Sequence, residues 1–205
     1  MKSQLTVGFD LDMTLVDSAE GISEAIVAVC ALHGVQVERE EAVETIGLPL
    51  DLVFPRWLPE LPYEQLLDEY RDHYGRYGIP KSRLLPGAAE SVDAIRASGG
   101  RVVVVSAKKS DFVQRVLDVV GLHADAIHGY LFAEKKGEAL LEERASVYVG
   151  DHLGDIAAAR TAQAVSVAVA TGPTAYQELK SACPDVLMRS LEEFPPWYEV
   201  FRAKA

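Results

Sequence analysis

The stretch LTVGFDLDMTLVDS, residues 5–18, joins a short apolar run to a group of acidic residues. Leu5 to Phe9 is rich in β-forming residues and ends at Asp10, which is the pattern of a buried parallel strand followed by its loop. Asp12 comes two residues later. We therefore predict that the first strand of a parallel sheet ends here and carries two carboxylates at its carboxyl end.

Beyond the turn at residues 85–87, strand patterns and helix patterns alternate along the chain. The further predicted strands are residues 102–105, 126–131, 147–149, 165–169 and 186–187. The predicted helices between them are residues 88–97, 110–120, 136–143, 153–162 and 174–181. This order predicts an α/β fold, a Rossmann-like parallel sheet flanked by helices with right-handed crossovers.

About 70 residues of helical spacing separate the first strand from this alternation, which is far longer than an ordinary loop. For residues 19–77 we predict three or four helices and no strand. Ligands of open α/β sheets bind beyond the carboxyl ends of the strands, where this insert leaves and rejoins the chain. We therefore expect an all-helical cap, residues 17–84, on an α/β core made of residues 1–16 and 85–205.

The composition excludes several classes of function. With 49% hydrophobic and 25% charged residues, the chain is typical of a folded globular protein. Twenty basic against 31 acidic residues give a net charge of −11, which opposes binding to nucleic acid or to anionic lipid. A phosphorylated ligand would need a locally positive pocket.

The sequence indicates a cytoplasmic protein without a membrane segment. No secretion signal is visible before Asp10, and the longest aliphatic run, residues 102–105, is far short of the roughly 20 residues of a membrane span. Cys30 and Cys183 lie in no metal-ligand spacing, and we expect two buried or idle thiols.

Polar side chains collect at the edge of the sheet where the predicted strands end. The candidates are Asp10, Asp12, Ser106, Lys136, Asp151 and Asp155. Carboxylates within about 5 Å of one another would repel by about 3 kcal/mol per pair at an effective dielectric constant near 20. A lysine and a divalent cation would relieve this repulsion, and oxygen ligands without His or Cys favour Mg²⁺.

These residue types suit phosphoryl transfer. Asp10 is placed to attack phosphorus as a nucleophile once cation and lysine neutralise the phosphoryl oxygens. Asp12 can protonate the leaving oxygen and later deprotonate water. Ser106 and Lys136 can bind the transferring oxygens.

Four ordered segments carry a resemblance to a known family: DLDMTLVDS at residues 10–18, VVVVSAK at 102–108, KGEAL at 136–140 and GDHLGD at 150–155. They resemble the motifs of haloacid dehalogenase (HAD) superfamily phosphatases, and the insert resembles the C1 cap of the phosphoglycolate phosphatase-like branch. The resemblance implies hydrolysis of a small phosphorylated metabolite through an aspartyl-phosphate and a cap that opens and closes. It implies Asp10 as nucleophile, Asp12 as acid and base, and Ser106 and Lys136 as phosphate ligands. It also implies Mg²⁺ held by Asp10, the Asp12 carbonyl, Asp151 and, directly or through water, Asp155.

Three positions depart from the family pattern. Met13 stands where the family commonly has glycine. The difference would matter only if this residue required a positive φ, and we expect methionine to be tolerated. Lys136 precedes glycine instead of the frequent proline, and the neighbouring Lys135 leaves the assignment open by one residue, with Lys136 the better match. We expect no catalytic role for His152.

Simpler structural roles remain open for several residues. Asp10 and Asp12 suit a turn or a helix N-cap, and Asp155 suits a helix N-terminus. We interpret Asp17 and Ser18 as a hinge cap. Five basic residues of the insert are candidates for substrate contact or a solvated face: Arg56, Arg71, Arg76, Lys81 and Arg83. The turn at residues 47–49 is the insert loop expected to reach the site.

Other functions share parts of this pattern. A phosphomutase would reuse every motif residue, whereas a haloacid-type dehalogenase needs neither Mg²⁺ nor Asp12. A non-catalytic phosphate-responsive module would be shorter and would carry an acceptor aspartate after the third strand, where this chain has residues 132–134, Phe-Ala-Glu. The sequence names neither the substrate nor the oligomeric state.

Overall fold

The structure is a computed structural model and describes residues 4–204. Its strands are β1 Thr6–Phe9, β2 Val16–Asp17, β3 Arg83–Leu84, β4 Arg101–Val105, β5 Ala126–His128, β6 Val147–Gly150, β7 Val165–Val169 and β8 Val186–Met188. Six of them form one parallel sheet in the order β5-β4-β1-β6-β7-β8. The predicted α/β fold with a parallel sheet is confirmed.

Helices surround the sheet and fill the insert. They are α1 Ala19–Leu32, α2 Arg39–Val43, α3 Leu50–Val53, α4 Tyr63–His73, α5 Ala88–Ala97, α6 Ser110–Val120, α7 Glu134–Glu142, α8 Leu153–Thr161, α9 Tyr176–Ser181 and α10 Phe194–Lys204. Short 3₁₀ turns and one π-helical stretch, Tyr74–Gly78, complete the set. Residues 19–77, all of them described, hold α1 to α4 and no strand, as the helical spacing predicts.

The strand predicted at residues 126–131 is shorter than expected and ends at His128. The backbone then turns across the end of β4, where Tyr130 N–H donates to the Lys108 carbonyl at 3.1 Å and Leu131 N–H to the Ser106 carbonyl at 3.1 Å. These bonds replace the sheet ladder, so residues 129–133 form a loop at the carboxyl edge of the sheet.

A small antiparallel ribbon ties the two ends of the insert together. Val16 pairs with Leu84 and Asp17 with Arg83, so β2 and β3 close the chain where the insert leaves and returns. The sequence analysis did not find this ribbon, because two-residue strands carry no readable period.

The central strand β1 is buried on both faces, which is why it is apolar throughout. Gly8 allows a close approach beneath it, since a Cβ there would lie 2.5 Å from Leu140 Cδ2 and 2.9 Å from Tyr148 Cδ2. β4 and β6 pair with β1 on either side. The three strands therefore end side by side at one edge.

No helix in residues 4–204 combines the length and the apolar character needed to cross a membrane.

Candidate active site

The carboxyl edge of three neighbouring strands gathers the predicted polar residues. Asp10 directly follows β1, Ser106 follows β4 and Asp151 follows β6. Asp155 comes from the first turn of α8 and Lys136 from the first turn of α7. All five side chains belong to residues that the structure buries at this edge.

Three carboxylates form a compact acidic cluster. Asp10, Asp151 and Asp155 each present an oxygen that lies within 4.8 Å of the other two. Their exposed fractions are only 5%, 2% and 3%. Carboxylates this close and this far from water need positive charge nearby.

Lys136 supplies one positive charge. Its Nζ donates to Asp10 Oδ1 at 2.9 Å and to Asp155 Oδ1 at 2.7 Å, and the residue is 5% exposed. Lys135 is exposed, so the structure places Lys136, not its neighbour, in the site. Gly137 is explained by packing, because a Cβ there would lie 2.5 Å from Thr161 Cβ where α7 meets α8.

Asp155 serves both of the roles that the sequence left open. Its Oδ2 accepts from the backbone N–H of His152 at 3.1 Å, which closes a capping box at the start of α8. Its Oδ1 accepts from Lys136 and from the Tyr148 hydroxyl at 3.2 Å. His152 completes the box by accepting from Gly154 N–H at 3.0 Å through Nδ1.

Asp151 is fixed by small neighbours. Thr14 Oγ1 donates to its Oδ1 at 2.9 Å. Gly172 approaches so closely that a Cβ there would lie 1.7 Å from Asp151 Oδ2. The carboxylate therefore has a defined orientation in a space that only glycine leaves open.

The electrostatics of the cluster follow from burial. Burial raises the pKa of Asp10 to about 7, with Lys136 lowering it and Asp155 and Asp12 raising it. The pKa of Asp151 is also well above its usual value, first through burial and then through Asp10 and Asp155. The pKa of Lys136 is raised well above its usual value by the two carboxylates, which outweigh the opposing effect of burial.

Asp12 lies beside the cluster but faces other partners. Its Oδ1 accepts from Ser18 Oγ at 2.6 Å and lies 3.2 Å from Lys108 Nζ. The hinge-cap interpretation of Ser18 is thus incomplete, since its hydroxyl binds Asp12. Asp17 does cap locally, because its Oδ1 accepts from Ala19 N–H at 3.1 Å.

Lys108 and Tyr74 are site residues that the sequence analysis missed. Lys108 Nζ donates to the Tyr74 hydroxyl at 2.9 Å, and its side chain is 7% exposed. Lys108 lies two residues after Ser106 in the second motif, and this position could have identified it as a site residue from the sequence. No sequence pattern singles out Tyr74, which reaches the sheet edge only through the fold of the insert.

Met13 has a positive φ of 61°, which is the condition under which the glycine common in the family matters, so methionine occupies a backbone conformation that favours glycine. The turn is held from both sides: Met13 N–H donates to the Val16 carbonyl at 2.7 Å, and Thr171 Oγ1 donates to the Met13 carbonyl at 2.6 Å. This tight turn is the backbone link between Asp10 and β2.

A cavity of about 260 Å³ lies between the insert and the sheet edge. Asp10, Asp12, Ser106 and Lys136 line its floor. The turn at residues 47–49 lines it from the insert, as expected. Of the five basic residues proposed for the insert, Arg71 is the one in the cavity wall.

The donor set fits a hard divalent cation. When ionised, three buried carboxylates against Lys136 carry a net negative charge that burial makes costly, and Asp151 is held in one orientation. All donors are oxygen atoms, and the described cluster contains neither His nor Cys. Mg²⁺ is the ion that this chemistry favours.

Comparisons with known proteins agree with this architecture. The family described as haloacid dehalogenase-like hydrolase matches residues 7–169. A phosphoglycolate phosphatase of Vibrio parahaemolyticus is 28% identical over 211 residues, which cover 91% of this chain and 92% of that protein. The phosphoglycolate phosphatase of Escherichia coli is 28% identical over 231 residues, with coverages of 93% and 90%.

A solved structure shows the same fold. A haloacid dehalogenase-like family hydrolase from Streptococcus pneumoniae superposes with a TM-score of 0.85 at 23% identity, covering 97% of this chain and 100% of that one. The parallel sheet with its helical insert and its acidic edge is that of a hydrolase with an α/β fold. The chain belongs to the haloacid dehalogenase-like hydrolase family, and the resemblance found in its four motifs is confirmed.

Proposed function

We propose that the protein is a Mg²⁺-dependent phosphatase that hydrolyses a small phosphomonoester through an aspartyl-phosphate on Asp10. The observation that carries this proposal is the contact of one buried lysine, Lys136, with Asp10 and Asp155 inside a buried acidic cluster. The names of the relatives support phosphatase activity and make phosphoglycolate the first ester to test.

Asp10 is the proposed nucleophile. Lys136 orients its carboxylate, and Ser106 lies at the end of the neighbouring strand, where its hydroxyl can donate to the phosphoryl group. As the bond between Asp10 and phosphorus forms, the bond to the alcohol oxygen breaks, and negative charge remains on the phosphoryl oxygens facing Lys136 and Ser106.

Asp12 is the proposed acid and base. It gives a proton to the departing alcohol oxygen and takes one from the water that then attacks the aspartyl-phosphate. Ser18 and Lys108 support this role because they hold the carboxylate in place at one oxygen. A dehalogenase would have no use for such a residue, so this pair of contacts favours phosphoryl transfer.

Asp10, Asp151, the backbone carbonyl of Asp12 and, directly or through water, Asp155 are the proposed Mg²⁺ ligands. Bound there, the ion would neutralise phosphoryl oxygens and favour the carboxylate form of Asp10. Three hydrogen bonds already reach Asp155 from Lys136, Tyr148 and His152, which favours water-mediated support from this residue.

The proposed domain division places residues 17–84 as a cap over a core of residues 1–16 and 85–205. The ribbon of β2 and β3 supports this division, because it joins both ends of the insert at a single narrow place. A cap hinged there could open for substrate and close for chemistry.

The test is phosphate release from a generic aryl phosphate and from phosphoglycolate, with Mg²⁺ and with EDTA. We expect release only with Mg²⁺ and its loss in Asp10→Asn, while the exposed neighbour variant Lys135→Met retains activity. Release that survives Asp10→Asn would overturn the proposal. Conversion of a sugar phosphate to its isomer without free phosphate would identify a mutase instead.

A further inference from the structure

The hydroxyl of Tyr70 has no hydrogen-bond partner among the described residues, although Tyr70 is only 6% exposed. Tyr70 lies on α4 and lines the cavity, so its remaining exposure is to that space. Among the described residues, Ser82 Oγ is the one fully buried side-chain oxygen without a partner, so the Tyr70 hydroxyl is accessible from the cavity. A hydroxyl that is free toward a cavity can donate to or accept from a polar atom of a ligand.

The ring of Tyr70 is held rigidly. It stacks on Tyr74 with a centroid distance of 5.6 Å and an interplanar angle of 4°. Phe54 packs edge-on at 6.2 Å. Neither contact involves the hydroxyl. Ring packing therefore fixes the position of the hydroxyl, and a ligand would bind to it without a rearrangement of Tyr70.

The hydroxyl is a donor close to the proposed acid and base. Burial raises the pKa of Tyr70 far above its usual value, with Lys108 lowering it and Tyr74 and Asp12 raising it. The group stays protonated, and it faces the same cavity as Asp12 and Lys108. Since Asp12 is the proposed acid that protonates the alcohol oxygen, a ligand atom bound to Tyr70 would belong to the alcohol part of the phosphoester.

The positive charges around the cavity already have partners. Lys136 binds Asp10 and Asp155, and Lys108 lies 3.2 Å from Asp12. Lys109 pairs with Asp111 at 3.0 Å. Arg71 reaches from α4 to the hydroxyl of Tyr130 and lies 3.7 Å from Asp68. A carboxylate on the alcohol would find no unpaired cation among the described residues near Tyr70.

The remaining walls combine three polar residues of the insert, Thr45, Asp51 and Tyr63, with apolar side chains. From the insert the apolar side chains are Ile22, Ile26, Ile46, Leu50, Val53 and Leu67. From the core, Phe112, Leu131 and Phe132 face them. Such walls favour a neutral alcohol and disfavour a charged one, because a charge loses its hydration without gaining a partner.

We propose that the Tyr70 hydroxyl binds a neutral hydroxyl or carbonyl group on the alcohol part of the substrate, so that the enzyme prefers phosphomonoesters of small, uncharged polar alcohols over those of hydroxy acids. This inference rests on the proposed phosphatase function and adds the class of its substrate. It differs from the activity named for the phosphoglycolate phosphatases, whose alcohol carries a carboxylate.

The experiment compares three esters of similar size: propyl phosphate, 1,2-propanediol 1-phosphate and phosphoglycolate. On the unsubstituted chain with Mg²⁺, we expect kcat/KM to be about three- to tenfold higher for the propanediol ester than for the propyl ester, which is the effect of one neutral hydrogen bond. Phosphoglycolate should be the poorest of the three. This comparison needs no variant.

Tyr70→Phe keeps the stacked ring and removes only the hydroxyl. It should lower kcat/KM for the propanediol ester by the same three- to tenfold and leave the propyl ester unchanged. The matched control Tyr77→Phe removes an exposed hydroxyl from the same part of the insert, outside the cavity wall, and should change neither value. Equal losses on both esters, or none on either, would overturn the inference.

Two further outcomes separate this inference from the proposed function. A preference for phosphoglycolate that disappears in Arg71→Gln would overturn the neutral-alcohol inference and leave the phosphatase intact. Calorimetric titration of Asp10→Asn, with and without the second substitution Tyr70→Phe, measures binding of the same esters without turnover. If the unsubstituted chain releases no phosphate while this titration still shows the Tyr70-dependent preference for the propanediol ester, the proposed function fails and the inference stands.

Discussion

Lys108, which follows β4, donates a 2.9 Å hydrogen bond to the hydroxyl of Tyr74, which belongs to the insert. The same ammonium lies 3.2 Å from Asp12. A single buried cation thus joins the helical insert to the proposed acid and base. The position of the insert over the sheet is therefore coupled to the orientation of Asp12.

Lys108→Met should lower kcat for phosphate release by about tenfold or more, because Asp12 loses the charged partner that orients it. Complete loss of a general acid typically lowers kcat by about a hundredfold or more, so a partial loss of this size is expected. Tyr74→Phe keeps the ring packed on Tyr70 and Phe112 and should lower kcat by a smaller factor. Steady-state kinetics with Mg²⁺ measure both. If Lys108→Met retained full kcat, Lys108 would have only a packing role.

Lys136→Met should abolish activity and destabilise the protein. It leaves Asp10 and Asp155 without their shared partner, and removing one member of a buried ion pair costs about 3–5 kcal/mol. Urea unfolding in EDTA at pH 8 measures the loss. Lys135→Met is the control, since that exposed side chain should change the free energy of unfolding by less than about 0.5 kcal/mol.

The metal-free protein should lose stability as the pH rises from about 4 to about 7. The folded-state pKa of Asp10 is about 7, against about 3.9 in an unfolded chain, so across this window the folded state holds a proton that the unfolded state has released. The pKa of Asp151 is also raised, which acts in the same direction. Urea unfolding in EDTA at several pH values measures the fall.

Two comparisons isolate this effect. Asp10→Asn should show a flatter dependence on pH than the unsubstituted chain, because it lacks the titrating group. Mg²⁺ should stabilise the protein more at pH 8 than at pH 5.5, since a cation binds the ionised carboxylates. Carboxylates with a lowered pKa, such as Asp185, do not affect the pH range from about 4 to about 7. Their contribution to the free energy of unfolding is lost only as the pH falls below about 4. Identical pH dependence in Asp10→Asn would contradict the assignment.

Position 13 should prefer glycine to alanine. At a φ of 61°, a residue with a Cβ is strained, whereas glycine adopts this conformation freely. Met13→Gly should therefore be more stable than Met13→Ala by about 1 kcal/mol, since both variants lose the methionine side chain beyond Cβ and only alanine keeps the strained Cβ. Thermal unfolding of the pair measures the difference, and equal stabilities would mean that the turn relaxes without strain.

Much of the fold is readable from the chain because its patterns are local. The helix predicted at residues 110–120 and the strand predicted at residues 165–169 have these bounds in the structure, since their apolar periods and their flanking turns lie in adjacent residues. The strand predicted to reach residue 131 was too long, because the backbone bonds that end it go to Ser106 and Lys108, which follow another strand, β4.

The order of the motifs was enough to indicate the family and to name the acidic residues, because parallel strands deliver their carboxyl ends to one edge whatever the details of packing. The contacts of Lys136 with Asp10 and Asp155, the partners of Asp12 and the position of the Tyr70 hydroxyl came only from the folded chain. These depend on contacts between residues far apart in sequence, such as Tyr74 with Lys108. Such contacts depend on how the helices pack against the sheet, and the local hydrophobic periodicity of the sequence does not predict them.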